Sequence, residues 1–85
     1  MDQMELWVSA LAASLTTAAF VPQALHVIRH KETKAISLLM YVVFATGVAF
    51  WMLFGMLIGN WPMIVANAIT LGLSLTILAM KIRYG

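Results

Sequence analysis

Residues 35–80 contain no Asp, Glu, Lys or Arg, and neither do residues 6–28. A hydrocarbon core about 30 Å thick takes roughly 20 apolar residues per helical crossing. The first stretch is therefore long enough to cross once and the second to cross twice. Inside hydrocarbon each backbone N–H and C=O must be satisfied by the chain itself, which a continuous helix does. With 64% of residues hydrophobic and 9% charged, little is left to solvate a water-soluble domain, and the chain reads as membrane protein throughout.

The second stretch breaks at Gly59-Asn60-Trp61-Pro62. Gly and Asn favour a turn, Pro suits the first turn of a new helix, and Trp is at home at the lipid interface. The pattern predicts three helices over about residues 5–28, 36–58 and 62–82, joined by a seven-residue loop and a very short one. Thr33 or Ser37 is the candidate N-cap of the second helix. A secretory signal would explain the small residues Ala18 and Ala19 in the first span. Its flank argues otherwise, with Asp2 and Glu5 and no Lys or Arg where a signal peptide is positive.

Arg29, Lys31 and Lys34 follow the first span, and Lys81 and Arg83 follow the third. Both groups fall on one side of a three-span chain, so the positive-inside rule predicts the N-terminus out and the C-terminus in. That bias argues against dual topology and makes any dimer parallel. It also accounts for the net charge of +2, so nucleic acid is not expected as a partner. The absence of cysteine excludes disulfides, thiolate metal sites and cysteine nucleophiles. No charged side chain lies within residues 6–28 or 35–80, the apolar cores of the predicted spans, hence no paired carboxylates, triad or metal cluster: neither an enzyme nor a metal or cofactor site is expected. His26 and His30 remain as titratable groups, read as interfacial residues that continue the basic flank.

Neutral polarity recurs within the spans at helical spacing. Asn67, Thr70 and Ser74 form one stripe, and Ser9, Thr16 and Gln23 another. Phe44, Gly47, Trp51, Phe54, Gly55 and Ile58 share a face of the second span. Ser, Thr and Gly often serve only to pack membrane helices together, through hydrogen bonds of about 1 kcal/mol. Asn67 carries more: two donors and an acceptor that are costly to strand in hydrocarbon. Trp51 lies seven residues before Ile58, roughly 10 Å inside its span, where an indole fills a core or offers a stacking surface. Three helices are too few to surround a path, and a parallel two-fold dimer is the simplest arrangement that closes one. It would present Trp51 and Asn67 twice around an axial cavity, a pairing that suits a neutral ligand with apolar faces and hydroxyl edges, such as a sugar. Pro22 removes one helical hydrogen bond, to the carbonyl of Ala18, leaving a kink or pivot that Gln23 can link to a neighbouring helix.

Taken together, LTTAAFVPQALHVIRHKETKAIS, then MYVVFATGVAFW and FGMLIGNWPMIVANAITL, resemble the SemiSWEETs, bacterial half-size relatives of the SWEET sugar transporters in the PQ-loop group. The resemblance covers nearly the whole chain. It implies an all-α three-helix membrane bundle with the third helix between the first two. It further implies a parallel homodimer that moves a mono- or disaccharide across a bacterial inner membrane by alternating access. It makes Trp51 and Asn67 the sugar-binding pair, Pro22 and Gln23 the hinge, and Met40 and Phe44 the cytoplasmic gate. At the outer gate it implies positions, not chemistry: Phe54, Ile58 and Asn60 stand where the relatives often have Tyr, Arg and Asp. The expected function is passive, bidirectional facilitated diffusion of a small neutral sugar. The alternatives are a PQ-loop carrier of an amino acid or another small polar metabolite, and a non-transporting membrane accessory subunit.

Overall fold

The computed structural model describes residues 2–85, whose regular structure consists of three α-helices. α1 runs Gln3–His30, α2 Leu38–Ile58 and α3 Trp61–Tyr84. Each is long and apolar enough to cross a bilayer, and the protein is a multi-pass membrane protein.

Local hydrogen bonds set the helix ends and shift them from the expected limits. Asp2 begins α1 with a capping box: its carboxylate accepts from the Glu5 N–H at 2.8 Å, and the Glu5 carboxylate accepts from the Asp2 N–H at 3.3 Å. The helix therefore starts two residues before the apolar pattern does. It ends at Lys31, in the left-handed region with φ 56°, whose N–H returns to the Val27 carbonyl. Ser37 caps α2, its Oγ accepting from the Met40 N–H at 3.2 Å, so α2 begins at residue 38 and not 36. Thr33, the other candidate, is buried in the loop instead. Gly59, φ 70°, closes α2 in a conformation a side chain would strain. Asn60 then caps α3 through Oδ1, which accepts from the Met63 N–H at 3.2 Å, placing both Trp61 and Pro62 in the first turn. The far end of α3 extends two residues past the expected limit, to Tyr84.

The spatial order is α1, α3, α2: α3 packs on both of its neighbours, whose backbones do not approach one another. The extents of the backbone are 45 × 21 × 14 Å. A helix with its side chains is about 10–12 Å across, so the protomer is a bent row of helices and not a closed bundle. Few side chains are buried. They are mostly small, and they mark where α3 meets its neighbours: Ala24, Ala45, Val48, Gly55, Ser74 and Ile77 among them. Small residues are what let membrane helices approach closely, because lipid removes most of the hydrophobic drive to pack.

The basic residues gather at one end of the row. Lys81 Nζ donates to the Thr33 carbonyl at 3.0 Å and to the Gly85 carbonyl at 3.1 Å. Lys31 Nζ lies 5.2 Å from the centre of the Tyr84 ring, a cation–π distance. These contacts fasten the α1–α2 loop to the last turn of α3.

At the other end a Cβ on Gly55 would stand 3.2 Å from Met63 Cγ and 3.3 Å from Ile64 Cγ1. Gly55→Leu is thus expected to overpack the α2–α3 contact, at about 1–3 kcal/mol, and to lower the melting temperature in detergent. Gly55→Ala, which asks Met63 to yield only slightly, should lower it less. Equal stability of Gly55→Leu and the native chain would show that the contact is not tight.

Candidate functional site

Because α3 holds α1 and α2 apart, a groove of about 690 Å³ remains between them, with α3 as its floor. The helical periods decide what enters it. From α1 come Ser9, Ala13, Thr16 and Phe20, at i, i+4, i+7 and i+11; from α2, Phe44, Val48 and Trp51; from α3, Met63, Asn67 and Thr70. The groove is half open, and its wall is mostly apolar with a few polar groups, the usual make-up of a small-molecule site.

Trp51 and Asn67, the two residues singled out in the sequence, meet in this groove. Trp51 is 58% exposed in the single protomer, so most of its indole is available for stacking. The edge of the Phe54 ring packs against it, at 5.9 Å between ring centres and 81° between planes. One Asn67 amide hydrogen is spent within α3, on the Met63 carbonyl at 2.8 Å. A carbonyl only accepts, so this contact fixes the amide's orientation and leaves its second N–H and its Oδ1 for the groove. Thr16 is similarly half committed: its hydroxyl donates to the Ala12 carbonyl at 3.0 Å, leaving the oxygen as an acceptor.

Phe20 and Phe44 bound the groove toward the basic end, their rings 5.9 Å apart across the α1–α2 gap, with Tyr41 edge-on to Phe44 at 6.1 Å. Sequence reasoning found Phe44 and missed Phe20. An aromatic in an apolar span carries no signal of its own, although extending the Ser9–Thr16 stripe by four residues reaches it. Met40 lies outside the groove, exposed in the first turn of α2.

Pro22 and Gln23 sit on α1 beyond Phe20, exposed, with the helix continuous through both. At the opposite end Phe54 and Ile58 are exposed on α2, whereas Asn60 is 2% exposed and turned inward. Its Nδ2 donates to Ser9 Oγ across the α1–α3 contact. Ser74, expected beside Asn67, is buried within the bundle and does not reach the groove. The His26 and His30 rings lie against one another at the basic end, 4.3 Å between centres and tilted by 47°. His26 Nε2 lies 3.5 Å from the Glu32 carboxylate, and neither histidine lines the groove.

The family model for the PQ loop repeat matches residues 6–64. The sugar transporter SemiSWEET of Bradyrhizobium diazoefficiens is 43% identical over 74 residues, 87% of this chain and 86% of that one. The chain belongs to the SemiSWEET family. The SemiSWEET of Leptospira biflexa, also named a sugar transporter, is 42% identical over 82 residues, 96% of each chain. A crystal structure of a SemiSWEET in the inward-open conformation matches with a TM-score of 0.89 at 34% identity, covering 96% of this chain and 95% of that one. The placement of the third helix between the first two, implied by the resemblance to SemiSWEETs, is the one found here.

If the two phenylalanines support one another across the groove, their substitutions will not add. Phe20→Ala and Phe44→Ala are expected to show a coupling of about 0.5–1.5 kcal/mol in a double-mutant cycle of unfolding in detergent. Strict additivity would mean that the rings merely lie near one another.

Proposed function

We propose that the chain is a passive, bidirectional sugar facilitator. On this reading two copies pair in parallel around a two-fold axis in a bacterial inner membrane, N-terminus periplasmic and C-terminus cytoplasmic. The observation that carries the reading is the groove itself: an indole and a half-committed amide face the same open space, and one protomer covers only part of it. A second copy would close it with a second indole and a second amide. Indole faces stack on the apolar faces of a pyranose, and amides take the hydroxyl edges.

Further support comes from the wall chemistry. No Asp, Glu, Lys or Arg lines the groove, which disfavours a zwitterionic amino acid as cargo. The relatives named as sugar transporters match over most of their length. The accessory-subunit alternative leaves the second N–H and the Oδ1 of Asn67 without a task. Weak binding suffices for a facilitator: a millimolar dissociation constant is about 4 kcal/mol, within reach of a few hydrogen bonds and two stacking contacts.

Alternating access then divides the labour along the axis. Phe44, backed by Phe20, and Met40 form the cytoplasmic gate; Phe54 and Ile58 form an apolar outer gate, with Asn60 behind it. Pro22 and Gln23 supply the hinge of α1 between the groove and the cytoplasmic loop.

The test is uptake of labelled glucose and sucrose into liposomes by the purified protein, with and without a pH gradient. Saturable uptake indifferent to the gradient is expected. Trp51→Ala and Asn67→Ala should each abolish it while leaving the dimer intact in detergent. Normal uptake by both variants would remove the site assignment. Pro22→Ala should slow turnover with little change in half-saturation; an unchanged rate would reduce the proline to a static kink.

A further inference from the structure

Asn60 does two things at once. Its Oδ1 accepts from the Met63 N–H, and its Nδ2 reaches Ser9 Oγ. A backbone N–H can only donate, so the atom facing Met63 must be the amide oxygen. The atom facing Ser9 is therefore the amide nitrogen, which also can only donate. Ser9 Oγ is thus obliged to accept, and its own proton stays free. Ser9 donates to no carbonyl among the described residues, whereas Thr16 on the same face returns its proton to Ala12. Yet Ser9 lines the groove.

We infer that Ser9 is a substrate-contacting donor at the outer end of the cavity, and that Asn60 is the positioning residue that holds its hydroxyl in that sense. Ser9 and Thr16 lie two turns apart on α1, roughly 10 Å, so the groove carries an ordered pattern along its length. Ser9 offers a proton, Asn67 offers both a proton and an acceptor, and Thr16 offers an acceptor. The ligand oxygen opposite Ser9 need only accept, as a ring oxygen, a glycosidic oxygen or a hydroxyl does. This selectivity rests on the sugar-facilitator reading and sharpens it.

Asn60→Asp isolates the inference from the cap. A carboxylate caps a helix as well as an amide does, but it presents only acceptors, so the Ser9 hydroxyl must turn to donate to it and its proton leaves the cavity. The experiment measures labelled D-glucose uptake in liposomes and its competition by analogues in which each glucose oxygen, the ring oxygen included, is replaced singly. Ser9→Ala and Asn60→Asp should each raise half-saturation about five- to tenfold, one hydrogen bond of about 1–1.4 kcal/mol. The double variant should be no worse than Ser9→Ala.

One analogue that competes poorly with glucose in the native protein should lose that disadvantage in both variants. A purely structural role for Asn60 would move the melting temperature and not the ranking of analogues. Native uptake with an unchanged ranking in Ser9→Ala, or additive effects of the two substitutions, would overturn the inference alone. Failure of the native protein to move any sugar would overturn the facilitator reading and this inference with it.

Discussion

Hydrocarbon offers the backbone no hydrogen-bond partner, and that single deficiency organises the protein. It forces three unbroken helices and puts the capping devices at their ends, where Asp2, Ser37 and Asn60 serve otherwise unpaired N–H groups. It also disciplines the polar side chains. Thr16, Thr46 and Thr76 turn their hydroxyls back onto carbonyls of their own helices. Asn67 does the same with one amide hydrogen, but an amide is larger than one such bond can satisfy. What it has left over faces the groove, so polarity that the membrane penalises elsewhere is concentrated there.

The position of α3 turns this chemistry into a site. Had α1 and α2 packed directly together, Trp51 and Asn67 would have been core residues. With α3 between them, the row bends and leaves a trough whose floor carries Asn67 and whose α2 wall carries Trp51. On the proposed reading, the same arrangement makes the protomer insufficient alone. A row one helix thick cannot enclose a ligand, and an exposed groove of this size would face either lipid or a second copy. Lipid would leave the free Asn67 N–H unsatisfied; a partner that brings its own amide and a hydrated ligand would not.

How much of this the sequence disclosed follows from the range of the forces involved. Span number and approximate limits depend on local hydropathy and were legible in it, as was the sharp break at Gly59-Asn60. The ends moved by one or two residues because caps are chosen by hydrogen bonding, to which hydropathy is blind. Trp51 and Asn67 stood out because each is costly or unusual at its depth in a membrane helix. Asn60 was visible as a turn residue, and only the resemblance to SemiSWEETs marked it as an expected outer-gate position. Its contact with Ser9, 51 residues away in the chain, depends on how α1 lies against α3, which no local pattern specifies. The neutral stripes fared unevenly for the same reason. Ser9, Thr16, Asn67 and Thr70 face the groove, while Ser74 is buried in the bundle and Gln23 lies beyond the phenylalanines that bound the groove's basic end.

The fastenings of α1 bear on how the proposed facilitator would move. Near its start, α1 is tied to α3 through Ser9 and Asn60. Past its end, the loop is tied to α3 through the Thr33 carbonyl and Lys81. A helix held at both ends cannot swing as a rigid rod without breaking one tie. It can bend where its ladder is weakest, and Pro22 leaves the Ala18 carbonyl without its helical partner between the two ties. Under the facilitator reading, opening and closing would then bow α1 about Pro22 while Ser9 stays in register with Asn60 and the outer end of α3. The groove would keep its outer hydrogen-bond donor through the cycle, and the phenylalanines next to the pivot, Phe20 and its partner Phe44, would be the contacts that change.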